Sequence, residues 1–310
     1  MRYENLLTRS LKIVWRKPWL WLLALLAGET SSGSGGAGSG NFRSGPAASS
    51  SPPDLGWVPG WLQDRVALFL EIAAIILVVG VVLFLISCLA SGALVAAVAR
   101  IDAGERVSFG AAWRLGLESY WRVLGFKLVQ VLLGLLALLV LLLAPLAGVV
   151  GWGSSGLLKG LLLDLPLVEV SIAWLIFVSA LSVLGLRACV LEGAGPIASF
   201  GAAYGLLKRR FSRIAMTVVV FVAAGIAAGV VLQVVLALVA APFTIPLLSA
   251  VNSGRWSDAI GTFLAEIAVL LPVSLILSAA AGAYFATAWT VAYRRFDHEG
   301  EVPEPEPLAA

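Results

Sequence analysis

Three carboxylates recur in a common setting. Glu71, Glu169 and Glu266 each precede a branched apolar residue (Ile72, Val170, Ile267) near one end of a long apolar stretch. An ionisable group in such a stretch is costly to keep in hydrocarbon, so it marks an ion pathway or a partner by default. Two arrangements would account for the three. If they converge on a common axis, they form an outward-facing ring that attracts cations. If each lies in the first turn of its helix, it reaches headgroup water and favours the positive end of the helix dipole.

Other chemistry is sparse. The only histidine, His298, lies in the polar C-terminal segment, so a Ser-His-Asp, Cys-His or histidine-metal site inside the apolar stretches is excluded. Cys88 and Cys189 show no metal-ligand spacing; near the inner ends of their helices they are expected to stay reduced and pack as small apolar groups. No P-loop, dinucleotide fingerprint or zinc-protease motif is present. The expectation is a protein without cofactor, metal or catalytic activity, an aspartate or glutamate enzyme acting on lipid being the alternative.

The elements that must position these residues follow from composition. Of 310 residues, 60% are apolar and 13% charged, and the mean hydropathy of +0.97 makes lipid the main solvent. A spanning helix needs about 20 mostly apolar residues. Five segments supply that: Val66–Ala99, Val123–Gly148, Leu165–Val190, Ile214–Ala241 and Thr262–Tyr293. A sixth, Pro18–Gly28, covers only about 16 Å, roughly half the hydrocarbon core. Either Leu11–Val14 extend it while Lys12, Arg16 and Lys17 snorkel, or the glycine-rich segment after it completes the crossing in a protein-lined crevice. A third reading makes residues 1–28 a signal peptide, although for a cut after Ala27 the third residue before the cut would be Leu25 rather than a small one.

Charge sets the orientation. The net charge is +3, but Arg2, Arg9, Lys12, Arg16 and Lys17, the five basic residues from Arg100 to Lys127, the five from Arg187 to Arg213, and Arg294 and Arg295 all fall on one side. Only Arg43, Arg65, Lys159 and Arg255 fall on the other. The positive-inside rule then puts both termini in the cytoplasm, with an even number of spans in a bacterial inner membrane. Trp15, Trp19, Trp21, Trp113 and Trp121 mark the inner interface, and Trp57, Trp61, Trp152 and Trp256 the outer one.

A motif repeats. Ser108-Phe109-Gly110-Ala111-Ala112-Trp113 returns as Ser199-Phe200-Gly201-Ala202-Ala203-Tyr204, and at the same offset Tyr120 meets Phe211 and Arg122 meets Arg213. Each copy reads as an amphipathic helix on the inner surface, N-capped by Ser108 or Ser199. The first carries Phe109, Trp113, Leu117, Tyr120 and Leu124 on one face, with Arg114, Glu118 and Arg122 on the other. The second opposes Phe200, Tyr204, Leu207 and Phe211 to Lys208, Arg209, Ser212 and Arg213. A looser third copy at the N-terminus sets Leu6, Ser10, Ile13 and Val14 against Asn5, Arg9, Lys12 and Arg16. Such helices meet anionic headgroups; alternatively, each is the polar inner end of the span that follows it.

The expected architecture is all-α: six transmembrane helices in three pseudo-repeats, each an amphipathic surface helix plus a transmembrane hairpin. The units are residues 1–99, with a Gly/Ser-rich outer loop at 29–60, 100–191 and 192–296, followed by a disordered acidic tail at 297–310. Small residues at four-residue spacing, Gly225 and Gly229 in the fifth span and Ser274, Ser278 and Gly282 in the sixth, predict close helix packing, within the chain or in a homo-oligomer. Gln130 and Gln233 suit interhelical hydrogen bonds.

The basic surface helix, Trp-rich short span, Gly/Ser-rich loop and Ser-Phe-x-x-Ala-Trp motif resemble a broad group of bacterial membrane proteins, among them the membrane domain attached to some glycerophosphodiester phosphodiesterases. The motifs are short, and no residue of the soluble catalytic domain of those fusions has a counterpart here. The resulting expectation is a membrane interaction or assembly module whose partners are the bilayer, anionic headgroups and a second copy or another membrane protein, not nucleic acid. The alternative is a transporter or channel for a small cation or amphiphile that uses the three glutamates. Single cysteines at Ser34 and Ser154 should react with an impermeant thiol reagent applied outside, whereas those at Ser108 and Ser212 should not; outside labelling at Ser108 would invert the topology.

Overall fold

The computed structural model describes residues 3–28, 58–152 and 156–298. The described chain is helical throughout: α1 (Tyr3–Arg16), α2 (Trp19–Ala27), α3 (Val58–Asp102), α4 (Phe109–Trp152), α5 (Gly156–Arg187), α6 (Pro196–Arg209), α7 (Phe211–Asn252) and α8 (Trp256–His298), with a π-helical turn at Ala188–Glu192 between α5 and α6. Five of these helices are long and apolar enough to cross a membrane: α3, α4, α5 with its π turn, α7 and α8. Helix is, with the closed barrel, one of two forms a chain can take across lipid, since it satisfies every internal backbone N–H and C=O within one segment. The Gly/Ser-rich loop at 29–57 and the acidic tail at 299–310 lie outside the described residues.

Several boundaries differ from the sequence expectation. The outer loop stops at Val58 rather than after residue 60, because α3 begins there. The second unit has no separate surface helix, since α4 runs unbroken from Phe109 to Trp152. The third unit does break, at Arg210 (φ −127°, ψ 32°), between α6 and α7. Ser108 caps α4 by accepting from the Ala111 N–H at 3.3 Å. Ser199 does not cap α6, because Pro196 starts that helix earlier with Gly195 as its N-cap; instead its hydroxyl donates to Gly195 O at 2.8 Å. In α1 the periodicity holds: Leu6, Ser10, Ile13 and Val14 are buried, and Asn5, Lys12 and Arg16 are exposed.

Short connections make neighbours antiparallel. The turn at Gly104 (φ 90°) joins α3 to α4, and the turn at Gly254 (φ 69°) joins α7 to α8. α5 packs on α4, α6 covers α4 and α5, α2 wedges between α3 and α8, and α1 lies against α8. The core collects at one end of the bundle, where Leu6, Leu20, Leu23, Leu94, Val98, Leu184, Ala288 and Phe296 belong to one buried cluster. Toward the other end the helices are uncovered, with every residue from 68 to 83 of α3 exposed.

Glycines set the closest crossings. A Cβ at Gly116 would stand 2.8 Å from both Ala93 Cβ and Leu89 O, one at Gly92 2.7 Å from Ser119 Oγ, and one at Gly185 2.8 Å from the Phe126 ring. These contacts lock α3 to α4 and α4 to α5 in the buried half. The expected fifth-span stripe is placed differently: Gly225 is buried, but a Cβ at Gly229 would meet nothing within 4 Å. Gly116→Leu should therefore destabilise the protein by about 1–3 kcal/mol through overpacking. Gly229→Ala should be neutral or stabilising by up to about 1 kcal/mol, because alanine favours helix. Unfolding in mixed micelles measures both, and equal effects would refute the assignment.

Candidate functional site

The most unusual local structure is the end of α2. This helix has nine residues and stops at Gly28 in the left-handed conformation (φ 70°), directly after the buried Ala27. A helix end leaves carbonyls without partners, and in an apolar setting each must find a donor. The buried Ala27 carbonyl finds them on two other helices. Ser87 Oγ of α3 donates to it at 3.0 Å and Lys127 Nζ of α4 approaches it at 3.5 Å. Lys127 Nζ also donates to Ser87 Oγ at 2.9 Å, and Ser91 Oγ, which donates to Ser87 O at 2.7 Å, lies 3.5 Å from Ala27 O. An ammonium placed here also meets the negative end of the α2 dipole. Half-helix C-terminal ends coordinate cations in broken-helix membrane proteins, and here the cation is built into the chain.

A serine hydroxyl 2.9 Å from a lysine amine also has the spacing of a nucleophile and its base. The surroundings oppose that use. Ser87 lies inside α3, where backbone N–H groups are committed to helical bonds, so the donors an oxyanion requires are not supplied. Its hydroxyl is directed at Ala27 O, and the group closes a helix end.

Below this level, charged groups tie together elements distant in sequence. Asp102, the last residue of α3, takes Arg9 Nε of α1 at 2.8 Å and Arg294 Nη1 of α8 at 2.8 Å. Arg9 Nη2 donates to Asp102 O and Arg294 Nη1 to Ala99 O, both at 2.7 Å. The Arg9 Nε–Asp102 Oδ1 contact is an ion pair without the alignment of a hydrogen bond. The Arg187 side chain, 1% exposed, donates Nη1 to Val183 O at 2.6 Å and Nη2 to Ala286 O at 3.4 Å, which stitches α5 to α8. Lys127 and Arg187 therefore sit inside the bundle, whereas the sequence reading assigned them to inner-facing connections.

The glutamates are placed apart from these groups. Glu71 and Glu169 are exposed and Glu266 is half-buried. No described residue forms an ion pair or hydrogen bond with any of the three. They do not occupy first turns: their helices start at Val58, Gly156 and Trp256, so each carboxylate is roughly three to four turns inside. The helix-end explanation fails for that reason, since the dipole's field fades within one turn. Of the basic surface residues, Arg114, Lys208, Arg209 and Arg213 are exposed and Arg122 is half-buried; Arg122 lies so close to Gly193 that a Cβ there would be 2.7 Å from its Nη1. Gly282 is buried, whereas Ser274 and Ser278 are half-buried and donate to Leu271 O and Leu275 O of their own helix. Cys88 and Cys189 are buried free thiols.

The family model described as a family of unknown function (DUF7544) matches residues 7–296. No curated protein and no solved structure matches the chain.

Replacing Lys127 by Met keeps most of its stem and removes the ammonium. Ala27 O then retains only the serine donors, and the variant should lose about 1–3 kcal/mol. Amide exchange at the α2 end, Leu23 to Gly28, should accelerate more than exchange in α5. Unchanged exchange there would show that Lys127 does not hold α2 closed.

Proposed function

We propose, for a chain that belongs to the DUF7544 family, that it is an integral membrane assembly module without catalytic activity, residing in a bacterial inner membrane with both termini in the cytoplasm. The observation that carries this reading is a length mismatch. The apolar part of α7 runs from Ile214 to Val251, with Pro242 and Pro246 inside the helix, on the order of 57 Å along the helix at 1.5 Å per residue. The hydrocarbon core is roughly 30 Å thick, and covering α7 by tilt alone would need about 58°, beyond the range of roughly 0–40° seen for spanning helices. No described part of the chain covers the surplus: Leu238, Ile245 and Leu248 are exposed by 70, 74 and 61%. A contiguous apolar surface that neither lipid nor the described chain covers suits another protein surface.

The same reading accommodates the resemblance to phosphodiesterase membrane domains, which would then be a likeness between modules that gather other activities at the membrane. It also gives the repeated Ser-Phe-Gly-Ala-Ala motif a role as the inner-surface anchor of the second and third units. Anionic lipid would be met there by Arg114, Lys208, Arg209 and Arg213.

A second reading, transport of a small cation or amphiphile, draws on the α2 end closed by Lys127, since broken helices mark substrate sites in transporters. It would use Glu71, Glu169 and Glu266 at the outer side. Two measurements separate the readings. Extracted mildly from native membranes, the protein should migrate as a complex larger than one chain, and Ile245→Lys with Leu248→Lys should release the monomer while the intrinsic tryptophan fluorescence stays native. A monomeric parent would overturn assembly. In proteoliposomes, cation flux abolished by changing the three glutamates to glutamine would install transport instead.

A further inference from the structure

A cavity of about 330 Å³ opens where α3 ends, between the π-helical turn and the last turns of α8. Its chemistry is carried by Arg100, Glu105, Glu192, Tyr293 and Arg294. Two guanidinium groups and two carboxylates balance in formal charge, so neither a plain anion nor a plain cation matches the lining. A ligand carrying a negative and a positive group a few ångströms apart does.

The side chains are prepared to different degrees. Arg294 commits Nη1 to Asp102 and to Ala99 O, which orients the guanidinium and leaves its other nitrogens for an oxyanion. Glu192 is held through Oε1 by the Tyr293 hydroxyl, which leaves Oε2 to accept from an ammonium. The π turn is what brings Glu192 here: its extra residue per turn rotates the end of the segment, and Gly193 (φ 71°) then ends it. Arg100 and Glu105 form only a loose, exposed pair at 3.9 Å, which a ligand can exchange at little cost.

We infer that this cavity binds a zwitterionic phospholipid headgroup of the phosphate–primary ammonium type, the phosphate on Arg100 and Arg294 and the ammonium on Glu192 and Glu105. The lipid source follows from position. The cavity lies at the level of Asp102, just beyond the apolar part of α3, where the amphipathic α1 is tied down by Arg9. This rests on the orientation in which that end meets the inner leaflet, and labelling at Ser108 tests the orientation independently.

The purified full chain in detergent would be titrated with short-chain phosphatidylethanolamine, phosphatidylcholine and phosphatidylglycerol, and with free O-phosphoethanolamine, with bound species counted by native mass spectrometry. Phosphatidylethanolamine should bind about tenfold more tightly than phosphatidylcholine, which has no N–H to donate, and than phosphatidylglycerol, which has no cation. Glu192→Gln should erase that preference, and Arg100→Gln, at a surface position that does not hold the fold, should weaken all three lipids. Equal binding of the three lipids by the parent would overturn the proposal, as would a preference that survives Glu192→Gln in a natively melting variant. Free O-phosphoethanolamine binding as tightly as the lipid would overturn the lipid as the source.

Discussion

A carbonyl that ends a helix inside an apolar bundle must be given a donor, and the arrangement of the packed half follows from how Ala27 O obtains its own. Because α2 stops at Gly28, α3 must bring Ser87 and Ser91 to that point and α4 must bring Lys127. That fixes the register of α3 against α4, and the register is sustained only if the two backbones come close. Gly92 and Gly116 provide the approach, with Ser119 and Ala93 filling the space that larger residues would need. With α2 seated, Leu20, Leu23 and Ala24 are fully buried, and α8 can close over them. A short helix of nine residues thus organises three helices of 43 to 45.

The charged contacts at the packed end of the bundle act differently from those elsewhere on the surface. Arg255–Asp258 is an exposed pair at 3.5 Å, of the kind that contributes at most about 1 kcal/mol. Asp102 has a side chain only 12% exposed and serves two arginines from opposite ends of the sequence, so removing it would strand two partly buried cations. Arg187 extends the pattern by offering its guanidinium to backbone carbonyls of α5 and α8. These contacts determine which helices are neighbours; the glycines determine how near they come.

The all-helical class, the positions of the long apolar helices and the buried face of α1 were all legible in the sequence, because they depend on run length and a 3.6-residue period that local composition carries. The shortness of α2 was legible too, but its solution was not. Nothing near Lys127 in sequence distinguishes it from the surface cations before it, because its partner carbonyl is a hundred residues away. The glycine crossings failed for a related reason: small-residue spacing marks many grooves, and only the three-dimensional arrangement decides that Gly116 is filled and Gly229 is open. The glutamates were placed in first turns because apolar run length locates the hydrocarbon boundary, whereas helices continue past it. The π turn left no compositional trace at all, since Ala188-Cys189-Val190-Leu191-Glu192 reads as ordinary helix.

The α7–α8 hairpin has the mechanics of a lever. Its grip on the bundle lies at one end, where Phe221 and Trp289 meet edge to face at 4.8 Å and Ile214 and Thr217 are buried. From Phe221 to Asn252 the arm extends roughly 47 Å. A rocking motion of about 5° at that fulcrum would carry the tip through roughly 4 Å, more than the width of a hydrogen bond, while shifting the aromatic contact by only a fraction of an ångström. Displacements at the far tip and rearrangements at the gripped end are therefore geared to one another, and whatever takes hold of the tip has mechanical advantage over the end where Asp102 and Arg187 lie.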